Sequence, residues 1–377
     1  MSVRLVEINP SNRSDLKKFI GYPFELYRKH PVWVPPLWGD ELDIFSPVHN
    51  PVLKYCKLRL LLAYRDGRAV GRIAGIINQR ENQLYHKAKA RFGWFDFEDD
   101  EEVSRTLLRE IEDWSKARGM TELEGPMSFT NLDKAGLLVE GFEELPTSAT
   151  WYNYPYYAKH LEKLAYVKAA DWIEHELDCP TEVSERFIRF NELLKEKYKI
   201  HSVEIRSRAD IKKYALEVFE LINKTHNALH GFVAFEPEQV NLYVRKYSKI
   251  LRPEFLSLVA DQNNRLIAFG ISLPSISRAL QKSGGRLFPT GWYHLLQALK
   301  QNDRLDLYLI GTDPAWRNKG VHATIFYEIT RSAVKFGIKK VESNPELESN
   351  VQVQLLWKGY EYRQHKRRRT YKKELTP

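Results

Sequence analysis

The stretch Leu305-Asp-Leu-Tyr-Leu-Ile-Gly-Thr-Asp-Pro-Ala-Trp-Arg-Asn-Lys-Gly-Val-His-Ala-Thr-Ile-Phe-Tyr-Glu-Ile329 decides how this chain is read. Its first third is apolar and bounded by a turn, which predicts a buried strand over Leu305–Thr312. Pro314 ends that strand, because proline has no N–H to give to a sheet. A short basic loop follows, Arg317-Asn-Lys-Gly320, and then Val321, Ile325, Phe326 and Ile329 recur at helical spacing. Strand, tight loop and helix together present free N–H groups at the positive end of a helix dipole, which suits a phosphate. Gly320 removes the Cβ that would hold a ligand off the backbone. Arg317 and Lys319 add positive charge.

The order Thr312-Asp-Pro-Ala-Trp-Arg-Asn-Lys-Gly-Val321 resembles the coenzyme A pyrophosphate loop of the GCN5-related N-acetyltransferases (GNAT). That loop follows a strand with a proline, an aromatic and then Arg/Gln-x-x-Gly-x-Gly/Ala. Pro314, Trp316, Arg317, Gly320 and Val321 fall on this pattern. His322 departs from it, standing where the second Gly or Ala belongs, with Ala323 next. The resemblance implies acetyl-CoA or another acyl-CoA as cofactor. It would be held by Ile310, Gly311, Thr312, Arg317, Asn318, Lys319, Gly320, Val321, His322 and Ala323.

Working outward, the chain repeats itself. Val6-Glu-Ile8 matches Val203-Glu-Ile205, and Asp15-Leu-Lys-Lys-Phe19 matches Asp210-Ile-Lys-Lys-Tyr214. A hairpin around Asp66-Gly67 corresponds to one around Gln262-Asn-Asn-Arg265, the Asp-Gly pair being a strong turn signal. Lys163-Leu-Ala-Tyr166 sits where Trp357-Lys-Gly-Tyr360 sits. The expectation is a mixed α/β fold of two tandem acyl-CoA N-acyltransferase-like domains, each a central mixed sheet flanked by helices. The expected division is a degenerate domain over 1–180, a linking helix over 181–200, and a cofactor-binding domain over 201–377. Ser14 is the expected cap of the first helix. The proline- and aromatic-rich segment Tyr27–Trp38 reads as an ordered surface loop, and resembles a segment of bacterial acetyltransferase-like proteins.

The two copies differ where a phosphate would sit. The first carries Glu98-Asp-Asp-Glu-Glu102 at the turn into its helix. Against a diphosphate, each like charge within ~4 Å costs roughly 1–4 kcal/mol. Only the second copy should therefore hold the cofactor by this loop.

Composition narrows the function classes. A chain of 377 residues with 43% hydrophobic residues is long enough for two packed cores. It has no apolar run near the ~20 residues that span a membrane, and no signal-peptide pattern, so a cytoplasmic protein is expected. Cys56 and Cys179 have no metal-ligand spacing and read as small thiols, with no metal site expected. The net charge of +9 favours anionic partners without establishing nucleic-acid binding, which is not expected. The basic run His365–Lys373 reads as a solvated last strand on an exposed edge.

In the resembled family an acyl thioester lies between two splayed parallel strands, here Leu305–Thr312 and Lys339–Asn344, and an amine attacks it. Asn350 fits the family's asparagine. Trp357 stands where a tyrosine acid is expected, and an indole cannot protonate a thiolate. Candidate bases are Glu342, Glu346, Glu348 and Asp306, with Glu342 and Asn350 the named catalytic candidates; a base for an ammonium needs burial to bring its pKa toward neutrality. His226, His230 and His322 are scattered histidines. Trp151–Tyr157 and Trp292-Tyr-His-Leu-Leu296 are aromatic segments suited to an acceptor pocket or a domain interface. The reading is an N-acyltransferase acting on a small-molecule or peptide amine. Two alternatives stay open: a non-catalytic CoA- or acyl-ligand-binding protein, and an aminoacyl-tRNA-dependent aminoacyltransferase. The acceptor and the oligomeric state stay open too.

Overall fold

The computed structural model describes residues 2–130, 132–226, 232–357 and 359–376. Its strands are β1 (Arg4–Glu7), β2 (Cys56–Arg65), β3 (Arg68–Asn78), β4 (Lys89–Phe97), β5 (Glu122–Gly125), β6 (Leu137–Glu140), β7 (Val167–Asp178), β8 (His201–Val203), β9 (Leu256–Ala260), β10 (Leu266–Pro274), β11 (Arg304–Thr312), β12 (Lys340–Ser343), β13 (Glu346–Leu347) and β14 (Tyr362–Glu374). Its helices are α1 (Arg13–Leu26), α2 (Trp38–Ile44), α3 (Gln79–Tyr85), α4 (Glu101–Lys116), α5 (Tyr156–Lys163), α6 (Glu185–Tyr198), α7 (Arg208–His226), α8 (Pro237–Tyr247), α9 (Ser277–Ser283), α10 (Gly291–Lys300), α11 (Val321–Lys335) and α12 (Val351–Gln354).

The strands join into one mixed sheet in the order β1-β2-β3-β4-β5-β14-β7-β12-β11-β10-β9-β8. Strands β1 to β5 pair antiparallel until the last step, β4 with β5, which is parallel. Strands β8 to β12 repeat this pattern, with β11 parallel to β12. The predicted mixed α/β architecture with two such units is what the chain forms. The Asp66-Gly67 turn closes the β2–β3 hairpin with positive φ at both residues, as this turn type requires. Helix α4 covers one face of the first unit's sheet, and α1 and α2 cover the other. Helices α11 and α7 do the same in the second unit. Asn12, not Ser14, caps α1, its side chain accepting from the N–H groups of Ser14 and Asp15. No helix among the described residues is long and apolar enough to cross a membrane.

The last strands are exchanged. β7 pairs with β12 of the later unit, and β14 pairs with β5 of the earlier one. β14 and β7 lie antiparallel at the centre of the sheet. This corrects the expectation for the basic run 365–373: it is a strand, but an interior one. Lys366 and Arg368 are fully buried. Facing β14 across the ladder, β7 offers Asp171, Glu174 and Glu176. Arg368 Nε donates to Glu174 at 2.5 Å, and Lys366 lies 3.2 Å from the same carboxylate. Burial alone would raise these carboxyl pKa values, but the neighbouring cations dominate. Glu174 is held at about 2 by Arg368 and Lys366, and Asp171 at about 2 by Arg369, Lys168 and Arg367. Cys56 and Cys179 are half-buried free thiols, their pKa pushed up to about 12 and about 11 by burial.

Candidate active site

In the second unit, β11 and β12 pair only from Arg304↔Lys340 to Leu307↔Ser343. β11 then runs on to Thr312 without a partner on that side. Asn344 marks the parting point: its N–H donates to Leu307 O at 3.1 Å and its Nδ2 to Tyr308 O at 3.2 Å. On the other side, Ile271 pairs with Leu309 and Ser272 with Leu307, so Tyr308 is an extra residue, a bulge. The parting opens a cavity of about 220 Å³. Leu307, Leu309 and Ile310 line it, with Phe326 and Ile329 of α11 on one face of the sheet and His226 of α7 on the other. The first unit contributes as well, through Met127, Asp133, Thr150 and Trp172.

Several polar groups face this cavity. Glu346 Oε2 accepts from the Trp357 indole Nε1 at 3.1 Å and lies 3.6 Å from His175 Nδ1. Trp357 is buried, so the residue standing in the tyrosine position orients a carboxylate instead. Asp133 accepts from the Thr130 N–H and hydroxyl, both at 2.9 Å, and burial raises its pKa. Tyr308 shares a 2.8 Å hydrogen bond with the Ser148 hydroxyl; burial, then the nearby Asp306, raises its pKa, so the phenol is neutral. Asn350 begins α12 and lines the cavity with a side chain that makes no capping bond. His226 is buried, its Nδ1 within 2.8 Å of Thr225 Oγ1 and 3.2 Å of Ile222 O, and burial lowers its pKa. His230 lies outside the described residues.

Glu342 is not among the cavity-lining residues. It is buried beside Lys366, with which it forms a short ion pair, and lies 3.6 Å from Arg304 and 3.4 Å from His365 Nε2. Asp306 sits beside it on β11 and is pushed up to about 8, first by burial and then by the Glu342 charge. Glu348 is exposed and pairs with Arg367 and Lys168. Glu174, Glu342 and His365 converge as metal ligands would, but the Lys366 ammonium pairs with both carboxylates.

The basic loop follows β11. Gly311 is buried so tightly that a Cβ would meet the Phe269 ring at 2.4 Å. Thr312 is the last residue of the strand, and Asp313 then caps a short turn at Ala315 N and pairs with Lys224 at 2.6 Å. Asn318 and Gly320 both have positive φ, at 63° and 76°. The N–H groups of Asn318 to His322 make no hydrogen bond to another described residue, and Gly320 caps α11 without a side-chain bond. Arg317 and Asn318 are exposed, and the Lys319 ammonium lies 4.3 Å above the Trp316 ring. Val321 is a core residue, so only its backbone is available. His322 is half-buried, its pKa lowered by burial, and Ala323 N–H donates to Gly320 O. Loop residues 317–323 do not themselves line the cavity; of the predicted cofactor set, Ile310 does.

In the first unit the opening at the corresponding place is smaller. The corresponding cavity, lined by Trp94, Trp151 and Tyr152, is about 20 Å³. Trp94 packs on Phe45, Phe129 and Trp151, so Trp151–Tyr157 fills this unit and does not line the larger cavity. At the start of α4, the Asp100 side chain accepts from the N–H groups of Glu102 and Val103. The acidic run thus occupies the helix N-terminus from within.

Over the whole chain the topology matches solved acetyltransferase structures. A tandem GNAT protein from the clavulanic acid biosynthesis pathway aligns over 100% of this chain and 99% of its own, with a TM-score of 0.56 and 11% identity. The fold is that of the GCN5-related N-acetyltransferases. A GNAT structure from Sphaerobacter thermophilus aligns over 100% of this chain and 96% of its own, with a TM-score of 0.51 and 12% identity. By sequence, the chain is 29% identical over 373 residues to Protein YghO of Escherichia coli (strain K12), covering 97% of this chain and 94% of that one. It is 29% identical over 293 residues to a bacterial ceramide synthase of Caulobacter vibrioides (strain NA1000 / CB15N), covering 76% and 74%. No protein-family model matches the chain.

Glu346 was legible in the sequence as one of four carboxylates, but nothing there favoured it. Asp133, Tyr308 and His175 were missed. Two of them come from the first unit, and the strand exchange that brings β7 beside β12 leaves no periodic signal.

Proposed function

We propose that this chain is an acyl-CoA-dependent N-acyltransferase whose second unit holds the cofactor and whose acceptor amine enters the cavity between the units. The observation that carries this reading is the contrast between the two copies. One has an open parting of about 220 Å³ and an uncapped helix N-terminus; the other has about 20 Å³ and a carboxylate on its helix N-terminus. The free N–H groups of Asn318 to His322, with Arg317 and Lys319, would hold the diphosphate. The unpaired edge of β11 over Ile310, Gly311 and Thr312 would run along the pantetheine arm. A bound acyl-CoA supplies an activated carbonyl.

Glu346 is the group best disposed to take a proton from the amine, held in place by Trp357. Asn350 and the neutral Tyr308 phenol offer hydrogen bonds beside it. Glu342, tied to Lys366, supports the wall behind. Ceramide is an N-acylated long-chain amino alcohol, and the apolar lining here suits an aliphatic acyl or amine of that kind. Thermal melting with free coenzyme A tests the first half of the proposal. At ~100-fold over its dissociation constant a ligand adds about 2.7 kcal/mol to stability. Release of free thiol from long-chain and acetyl-CoA, with long-chain amino alcohols and with small diamines, tests the second. Absence of any melting shift overturns the proposal. Because Trp357 replaces the expected acid, a shift without thiol release would favour a ligand-binding protein instead.

A further inference from the structure

We propose that the α9–α10 segment is a docking surface for an anionic phospholipid bilayer. Between β3 and β4 the first unit has only α3 and a short turn, whereas between β10 and β11 the second has both α9 and α10. Leu295 and Leu299 of α10 pack inward with Val34, Ile276 and Leu280. The apolar stripe of the helix is wider than what packs inward: beside those two leucines, Trp292 is 48% exposed, Tyr293 50% and Leu296 56%. The turn before it adds Leu287 at 44% and Phe288 at 79%. Elsewhere among the described residues such side chains stand singly or in near pairs, as Phe190 with Leu193 and Val351 with Leu355, whereas these five fall within ten residues. A helix whose apolar stripe is left partly in water is short of a partner.

The surrounding charge selects the partner. The segment carries Arg278, Lys282, Arg286 and Lys300, all exposed, against a single carboxylate, Asp303. Exposed aromatic and leucine side chains in a segment rich in Lys and Arg match the boundary between headgroups and acyl chains of an anionic membrane. Both N–H groups of Trp292 are already partnered. Trp292 donates its indole N–H to Pro289 O at 3.0 Å and its backbone N–H to Leu287 O at 2.8 Å. Those groups therefore enter an apolar medium without losing a bond to water. A helix of ten residues is about 15 Å long, so it lies in the interface and does not span it. This surface stands apart from the cavity and does not depend on acyl transfer.

The test is co-sedimentation of the full chain with vesicles, at low and at physiological salt. Vesicles of equal parts phosphatidylcholine and phosphatidylglycerol should bind it, and pure phosphatidylcholine should bind at least tenfold more weakly. Each exposed cation contributes about fivefold near such a surface, so Lys282→Glu with Lys300→Glu should lower binding to the mixed vesicles more than tenfold. Phe288→Ser with Trp292→Ser should abolish it while leaving the melting temperature unchanged. If that double variant melts early, Phe288→Ser alone, in the exposed turn, carries the test. Equal binding to both vesicle types, no binding at low salt, or full binding by the Phe288 variant overturns the proposal. So does a dimer in solution that the Phe288 and Trp292 substitutions dissociate, because the face would then be covered by a second copy.

Discussion

Lys366→Met should unfasten the centre of the sheet. In the native chain this ammonium is fully buried between Glu174, at 3.2 Å, and Glu342. Removing it leaves Arg368 on Glu174 but strips Glu342 of its nearest cation. The lowering of Glu174 from an ordinary 4.5 to about 2 corresponds to about 3 kcal/mol of favourable interaction shared between Arg368 and Lys366. Breaking a buried pair by removing one partner typically costs ~3–5 kcal/mol, since the remaining charge is uncompensated. With an unfolding entropy of about 2 cal/mol/K per residue, that is a fall of roughly 4–6 °C in melting temperature if the sheet melts as one unit. The pH dependence has a definite sign. A carboxylate whose folded pKa is depressed stabilises the fold above its unfolded pKa and loses that contribution as pH falls toward 2. The difference between wild type and variant should therefore be largest at neutral pH and shrink below pH ~4.5 as the carboxylates protonate. Replacing Glu342 by Met in the same chain should recover much of the loss. Denaturant unfolding at several pH values measures all of this. A difference below ~1 kcal/mol, or one independent of pH, would refute the account of β14 as an ion-paired interior strand.

Three further outcomes follow from the site. Gly320→Glu places a carboxylate and a strained backbone at the N-terminus of α11, where φ is 76°. The melting shift given by coenzyme A should vanish, each protein being compared with its own ligand-free form. Glu346→Gln keeps the Trp357 hydrogen bond but removes the proton acceptor. Thiol release with an amine should fall by about 10²–10⁴-fold while the coenzyme A melting shift is retained. Asp306, raised to about 8, favours its neutral form in the fold, so its effect on stability worsens as pH rises from ~4 through 8. Asp306→Asn should therefore gain stability relative to wild type between pH 6 and pH 9, measured by denaturant unfolding.

The sequence alone determined that a mixed α/β unit recurs, and much of its local structure. Local chemistry carries that information: Asp66-Gly67 can only be a tight turn, Val321, Ile325 and Ile329 recur as one helix face, and Gly320 adopts the left-handed backbone its position demands. The contrast between an acidic loop and a basic one was legible for the same reason, since charge is written residue by residue. Three things were settled by tertiary structure. The basic run 365–373 looked like an exposed edge because Lys and Arg normally seek water; its burial depends on carboxylates nearly 200 positions earlier, at Asp171, Glu174 and Glu176. Glu342 and Glu346 are four residues apart and chemically alike, yet one faces Lys366 and the other the cavity, because the strand pairing breaks between them at Asn344. The aromatic segments 151–157 and 292–296 are alike in composition, but one fills the first unit and the other lies on the surface. Composition fixes how much apolar area a segment has, whereas what covers that area depends on which distant strands the exchange brings alongside.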